Sequence, residues 1–169
     1  MKKILGIILV VFCVSGVFAQ KNYKFAHINS AELLSIMPGR DTAKVQFDNY
    51  RNMLQKEMET MQLEYQNKVQ VYLEKQETYS DLVKKTKETE IQEMQQRIQG
   101  FQQTAQQDLR QKEAEIFQPI MDAAQKAIEK VAKANSFTYV FDVSAGGVIY
   151  FSETSTDLLP LVKKELGIE

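Results

Sequence analysis

The chain contains few residues of the kinds that perform catalysis. His27 is its one histidine and Cys13 its one cysteine among 169 residues. A nucleophile activated by histidine needs several side chains held together, and a lone histidine in a strand is usually a packing or surface residue. We therefore expect no catalytic residue, and we expect His27 to have a structural role in the first strand.

Acidic residues are plentiful but scattered along stretches that have a helical pattern. In such stretches, carboxylates like that of Glu113 normally lie in solvent and pair with lysines one turn away. The glycine pair Gly146-Gly147 lacks the lysine and the following helix of a phosphate-binding loop, so we interpret it as a turn. The sequence predicts no metal site and no cofactor, and it argues against an enzyme.

The first nineteen residues have the pattern of a secretory signal peptide. Two lysines precede an apolar run at residues 4–14, and residues 17–19 (Val-Phe-Ala) form a small-residue cleavage pattern. The run is shorter than the ~20 apolar residues of a membrane anchor, and the bulky Phe12 before Cys13 argues against lipidation. We expect cleavage after Ala19 and a mature periplasmic chain that has no cysteine.

The composition of the mature chain favours long solvated helices. Without the two lysines of the signal peptide, 19 basic and 22 acidic residues leave a net charge of −3. This balance gives no electrostatic reason to expect nucleic acid as a partner. The chain has no tryptophan, and glutamine, glutamate and lysine dominate its middle, which is unlike the composition of a compact globule.

Between Asp41 and Phe137 the chain has almost no helix-breaking residues, only Pro119 and Gly100. Apolar residues recur there at steps of three and four, the period of one helix face, in two separate stripes. We expect two helices that pack through these stripes as an antiparallel hairpin with a nearly straight seam. The first stripe comprises Phe47, Tyr50, Leu54, Met58, Met61, Tyr65, Val69 and Tyr72, and the second comprises Ile91, Met94, Ile98, Phe101, Ala105, Leu109, Ile116 and Ile120.

The stretch at residues 84–90 has no apolar side chain, so we expect the turn of the hairpin there or a few residues earlier. Counting from Asp41 to Lys84 predicts an arm of about 65 Å, too long and narrow for the core of a globule. Lys84, Lys85 and Lys87 would make its tip basic. Weak contact with an anionic membrane surface or lipopolysaccharide is one interpretation, and a solvated turn is the favoured one.

Both ends of the chain have strand-like patterns. Residues 23–28 alternate aromatic with smaller side chains, and residues 137–141 and 148–151 flank a glycine-containing turn, which predicts a β-hairpin. Residues with capping preferences mark the helix ends. The expected N-caps are Asn29 or Ser30, Asp41, and Thr156 or Asp157; the expected ends are the break at Pro38-Gly39, a left-handed Asn135, and Gly167.

These patterns together predict an α+β fold, in which an antiparallel coiled-coil arm projects from a small β body. We expect residues 20–40 and 136–169 to form the body and residues 41–135 to form the arm. About three short strands with exposed edges bury little apolar surface. Copies of the chain are therefore expected to associate through their strands, in a number that these residues leave open.

The order of these features resembles the Skp/OmpH family of periplasmic chaperones over essentially the whole mature chain. The most specific part is a strand at 139–142, a turn with glycine, a second strand at 148–151, and Asp157-Leu158 opening a helix that ends at Leu166. The resemblance implies a homotrimer with a shared β body and three arms around a cavity. There the family shelters unfolded outer-membrane β-barrel proteins without using ATP. The best-known members of the family are strongly basic, whereas this mature chain is not, which disfavours electrostatic capture of clients.

Some apolar residues lie off the two stripes, where a two-helix seam cannot bury them all. We expect these residues to contact clients: Met53, Leu63, Val71, Leu73 and Phe117. The predicted function is an ATP-independent holdase that prevents the aggregation of unfolded outer-membrane proteins. The alternative is an envelope scaffold or adaptor whose arm binds one specific folded partner through coiled-coil contacts.

Overall fold

The computed structural model describes residues 23–168, so the predicted signal peptide lies outside the described residues. In chain order the elements are β1 (Phe25–Ile28), α1 (Ser30–Ile36), α2 (Arg40–Lys75), a short 3₁₀ helix (Gln76–Thr78), α3 (Asp81–Ala134), β2 (Tyr139–Asp142), β3 (Thr156–Asp157) and α4 (Leu159–Leu166). The predicted α+β fold, a long helical hairpin with a small sheet formed by both chain ends, is confirmed. Within residues 23–168, no helix combines the length and the hydropathy needed to cross a membrane.

Helices α2 and α3 pack side by side as the expected antiparallel hairpin, called the arm below. Both predicted stripes lie at the seam: Met61 and Met94 are 8% and 1% exposed, and the other stripe residues are half-buried. Each helix contributes about one apolar side chain per turn to the seam, so most of the helix surface stays in water. α3 has 54 residues, about 81 Å, and therefore continues past the arm into the body.

The arm reverses at residues 76–80, several residues before the charged stretch 84–90. The amide of Tyr79 donates to the carbonyl of Gln76 at 3.3 Å, and the Ser80 hydroxyl accepts from the amide of Val83 at 3.4 Å as the cap of α3. The stretch 84–90 is helical because its charged side chains are good helix formers on a solvated surface. α2 has 36 residues and spans about 54 Å, so the arm is shorter than the predicted 65 Å.

The three strands form one sheet in the order β2-β1-β3, and both pairs are parallel. Parallel neighbours cannot be joined by a tight turn and need a crossover connection. Here the whole arm is the crossover between β1 and β2. The register pairs Phe25 with Tyr139 and His27 with Phe141.

The β-hairpin predicted for residues 137–151 is wrong. Its first half is β2, which pairs with β1, whereas residues 148–151 lie in no strand. The chain turns away after β2 because the Asp142 carboxylate accepts the backbone amide of Ser144 at 2.9 Å. The third strand is Thr156–Asp157, the pair expected only as a helix cap, although Asp157 also accepts the amide of Leu159 at 2.9 Å.

One face of the sheet covers the core of the body. The alternate β1 residues Ala26 and Ile28 point into this core, which α1, the base of α3 and α4 close from the other side. Its other buried members are Leu33, Met37, Ala124, Ala127, Val131, Leu158, Leu159 and Val162. The base of α3 therefore packs in the core of the body, while the rest of that helix belongs to the arm.

The start of α1 is set by a side-chain cap, and the start of α2 is set by a glycine in the left-handed conformation. Asn29 caps α1 as expected, since its side chain accepts the amide of Glu32 at 3.1 Å. α2 begins at Arg40, ahead of the expected cap Asp41, because Gly39 takes a left-handed conformation with φ of +82° and redirects the chain.

The ends of α3 and α4 differ in how well the sequence predicted them. Asn135 is not left-handed; Ser136 is, with φ of +56°, while the side-chain Nδ2 of Asn135 donates to the carbonyl of Val131 at 2.8 Å. The side-chain amide satisfies a terminal carbonyl of α3, so the reversal moves one residue along the chain. Gly167 ends α4 in the left-handed conformation, as expected.

Candidate functional site

Four of the five residues predicted to contact clients are exposed on the arm. Met53, Leu63, Val71 and Leu73 of α2 have 54%, 59%, 44% and 59% of their surface exposed. Side chains of this kind gain free energy when a partner covers them, about 25 cal/mol for each Å² of apolar surface removed from water. A client could cover these four side chains without opening the seam.

Phe117 of α3 has a different environment. Its ring is half-buried and packs edge to face against Phe47 of α2, with ring centroids 6.3 Å apart. The seam at this level includes a residue that lies outside the predicted stripe. Phe117 therefore contributes to the packing of the arm, and only its remaining surface is open to a partner.

The helical period places the four exposed residues on three different sides of α2. Met53 and Val71 are eighteen residues apart, about five turns, and so lie on one flank. The same period places Leu63 on the side opposite the seam and Leu73 on the other flank. The structure therefore does not gather the predicted client contacts into one patch.

Two tyrosines of α2 form hydrogen bonds with α3 across the arm. Tyr50 donates to the Asp108 carboxylate, and Tyr72 donates to the Glu88 carboxylate. Each of these bonds favours the protonated phenol, and the pKa of each tyrosine is raised above its ordinary value. The two bonds join the helices at different levels of the arm and help to hold their register.

A three-membered ion-pair cluster lies near the tip. The ammonium groups of Lys87 and Lys68 lie 2.9 and 3.2 Å from the carboxylate of Glu90. Hydrogen bonds from Lys87, and to a smaller extent from Lys68, lower the pKa of Glu90. Lys87, one of the three predicted tip lysines, is thus engaged within the arm.

The tip itself is electrically balanced and partly apolar. Between residues 74 and 88 there are four acidic and four basic side chains, so the basic character expected from Lys84, Lys85 and Lys87 is offset. Leu82, which is 77% exposed, lies beside the turn together with Val83. Neither residue was among the predicted contact residues, although two adjacent apolar residues before Lys84 and Lys85 are visible in the sequence.

The sheet face opposite the core carries an exposed group of aromatic rings, called the aromatic face below: Tyr23, Phe25, Tyr139 and Phe141. The Phe25 ring lies 6.4 Å from that of Tyr23, 6.0 Å from that of Tyr139 and 6.1 Å from that of Phe141. Parallel pairing of β1 with β2 brings these rings together from distant parts of the chain. Their alternation with smaller residues was visible in the sequence, but their shared face was not.

His27 ties the loop before β3 to the same side of the sheet. Its Nδ1 lies 2.8 Å from the hydroxyl of Ser155, and its ring stacks on Phe151 with centroids 4.1 Å apart. Ile149 and Tyr150 in this loop are 100% and 81% exposed. The loop and the aromatic face enclose an open cavity of about 750 Å³.

Asp142 connects the end of β2 to the start of α1. One carboxylate oxygen accepts the amide of Ser30 at 3.2 Å and the amide of Ser144 at 2.9 Å, and the other accepts the Ser30 hydroxyl at 2.5 Å. Burial raises the pKa of Asp142, but the hydrogen bonds from Ser30 and Ser144 outweigh it and lower the pKa to about 2. The carboxylate is therefore ionised when it makes these bonds.

The fold and these surfaces define a class of protein: an α+β chain with a long antiparallel helical arm on a small three-stranded sheet. The chain belongs to the OmpH-like family, whose model, described as outer membrane protein (OmpH-like), matches residues 24–166. A crystal structure of a candidate outer membrane chaperone (OmpH-like) from Caulobacter crescentus superposes with a TM-score of 0.71 at 12% identity, covering 90% of this chain and 88% of that one. No curated protein sequence matches the chain.

Proposed function

We propose that this chain is an ATP-independent periplasmic holdase chaperone, without enzymatic activity, that binds unfolded outer-membrane β-barrel proteins and prevents their aggregation. Membership of the OmpH-like family supports a chaperone role. The observation that carries the proposal is the arm, which exposes apolar side chains such as Met53, Leu63, Val71 and Leu73 outside its own seam. An arm that served only as a spacer would not need them.

The physical requirement of such clients fits this surface. Barrel strands alternate apolar and polar side chains, and they aggregate in water before they are inserted into a membrane. Several apolar contacts, each of order 1 kcal/mol, hold a chain through their number. A client then leaves when membrane insertion buries its apolar side chains more completely, and no nucleotide is required.

The capture is apolar in character. The mature chain has a net charge of −3, and the charges near the tip balance. We expect the tip, with Lys84, Lys85 and Lys87, to remain solvated and to have little affinity for anionic lipid.

We further propose that three copies assemble through the body. β2 and β3 are the edges of a three-stranded sheet, and exposed edges pair readily with other chains. The aromatic face and the loop with Ile149 and Tyr150 expose several large apolar side chains side by side, which is typical of a surface that contacts another protein. A homotrimer would bury this surface and set the arms around a common space.

The experiment that tests the function uses mature protein from Gln20 onward. A urea-unfolded outer-membrane β-barrel protein is diluted into buffer without ATP, and light scattering is followed with and without the chain. We expect scattering to be suppressed at near-stoichiometric amounts. Unchanged scattering with a folded sample would contradict the holdase and favour a scaffold that binds one folded partner.

A variant without residues 48–109 provides the control for the arm. The core of the body lies entirely outside this range, so the body is expected to remain folded. Loss of protection in this variant would locate client binding on the arm. Full protection by the variant would show that the arm is not the binding surface.

A further inference from the structure

Two open grooves lie along one flank of the arm, between α2 and α3. The proximal groove, nearer the body, has a volume of about 660 Å³ and includes Met53 and Ile116. The distal groove, nearer the tip, has a volume of about 220 Å³ and includes Val71 and Ile91. Met53 and Val71 lie about five helical turns apart, so both grooves open on the same side of α2.

The two grooves repeat the same chemistry. In each, one apolar residue of α2 faces one apolar residue of α3, and a lysine–glutamate pair borders them. The proximal pair is Lys112 and Glu115, 3.0 Å apart, and the distal pair is Lys87 and Glu90, 2.9 Å apart. Because each charge already has a partner, the grooves favour an apolar side chain with polar neighbours over a charged ligand.

The spacing of the grooves matches an extended polypeptide. Eighteen helical residues separate Met53 from Val71 by about 27 Å, a distance that an extended chain covers in about eight residues at ~3.3 Å each. Side chains eight residues apart in a strand point to the same side. A strand that spans a membrane has about 9–11 residues, enough to reach both grooves at once.

We propose that this flank of the arm binds a single extended barrel strand, whose lipid-facing side chains occupy the two grooves. Each copy of the chain then holds one strand along its arm. The inference rests on the proposed holdase function, and it adds the face of the arm that acts and the conformation of the bound client.

The chain offers a matched control on the same helix. Val45 is 58% exposed, close to the 54% of Met53, and lies about two turns from it on α2. Its side chain lies about a quarter turn further from the seam than that of Met53 and faces away from α3. The variants Met53→Gln and Val45→Gln therefore remove comparable apolar surface from different sides of the arm, and the double variant Met53→Gln/Val71→Gln alters both grooves.

Binding of a fluorescently labelled, urea-unfolded β-barrel protein is measured by anisotropy for the full mature chain and the three variants, after their helix content has been compared. We expect about tenfold weaker binding for the Met53/Val71 double variant, a smaller loss for Met53→Gln and little change for Val45→Gln. Equal losses for Met53→Gln and Val45→Gln, or a loss confined to Val45→Gln, would overturn the assignment of the flank while the holdase function stands. Absence of binding by the unaltered chain would instead refute the holdase function itself.

The strand conformation has its own test. A photo-reactive residue at position 53 or 71 is cross-linked to a synthetic peptide of about 24 residues with a non-repeating alternation of apolar and polar side chains, the pattern of a barrel strand. We expect the peptide positions cross-linked from the two sites to differ by about eight residues, as an extended chain requires. A separation near 18, as in a helix lying along the arm, or a random distribution would overturn the strand model.

Discussion

Replacement of Asp142 by asparagine tests how the body holds its two chain ends together. The Asp142 carboxylate accepts amide bonds from Ser30 and Ser144, and its pKa is about 2 against an ordinary value of 3.8. Because the folded pKa lies below the unfolded one, the ionised carboxylate stabilises the fold above about pH 4. This contribution is lost as the pH falls from about 4 to about 2.

The size of the effect follows from the shift in pKa. A shift of this size corresponds to about 2 kcal/mol at most, and the side chain is partly exposed to solvent, so screening lowers the expected contribution to about 1 kcal/mol. We therefore expect Asp142→Asn to lower the melting temperature by about 2–4 °C at pH 7. The difference from the unaltered chain should shrink as the pH falls from about 4 and vanish near pH 2.

Thermal unfolding followed by circular dichroism between pH 2 and pH 7 measures this difference. Asp41→Asn is the control, because the Asp41 side chain is 98% exposed and its ion pair with Arg40 is long, at 3.9 Å. A difference that stayed constant across the pH range would show that shape, and not charge, sets the role of Asp142. No difference at pH 7 would refute the reasoning altogether.

Three further predictions concern the arm and its two ends. Met94→Ala should lower the free energy of unfolding by about 2–4 kcal/mol, because Met94 is buried in the seam. Amide hydrogen exchange should become faster in the arm and stay the same in the body; an unchanged rate in the arm would contradict this prediction. Gly39→Ala should destabilise the chain by about 1 kcal/mol in urea unfolding because Gly39 is left-handed, whereas Gly100→Ala, inside α3 with open space around it, should stabilise it by about 0.5–1 kcal/mol. Little of the unaltered chain should co-sediment with anionic vesicles, and replacement of Lys84 and Lys85 by glutamine should not change that amount. If the unaltered chain bound the vesicles in a salt-sensitive way and this variant did not, the prediction of a solvated tip would be wrong.

The helical part of the fold could be predicted from local patterns. Steps of three and four between Phe47 and Tyr72 repeat the geometry of a single helix, so the buried face follows without knowledge of its partner. The seam at Met61 and Met94 confirmed this reasoning. Gly39 and Gly167 likewise act through their own backbone freedom, a local property.

The pairing of the strands could not be predicted in this way. Residues 137–141 and 148–151 have equally strand-like sequences, and their closeness along the chain favoured a hairpin. The partner of β2 is β1, on the far side of the whole arm. The bond from the amide of Ser144 to Asp142 turns the chain away from the hairpin, and the bond from Ser30 to the same carboxylate forms only once both chain ends have met.

The predicted client-contact residues also differ in whether their environment could be read from the sequence. Exposure of Met53, Leu63, Val71 and Leu73 agrees with their position off the stripes. Phe117 also lies off the stripes, but its ring packs against the stripe residue Phe47. Their role as client contacts remains a prediction.

By itself, the sequence determined the period of each helix, the positions where glycine reverses the chain, and the apolar residues that a two-helix seam leaves over, because all three depend on neighbours within a few turns. Only the tertiary structure decided where the arm reverses, which strands pair, and how the rings of Phe25 and Tyr139 come to share one face. Those outcomes depend on contacts between residues far apart in the chain, and such contacts form only when the arm brings the two ends together.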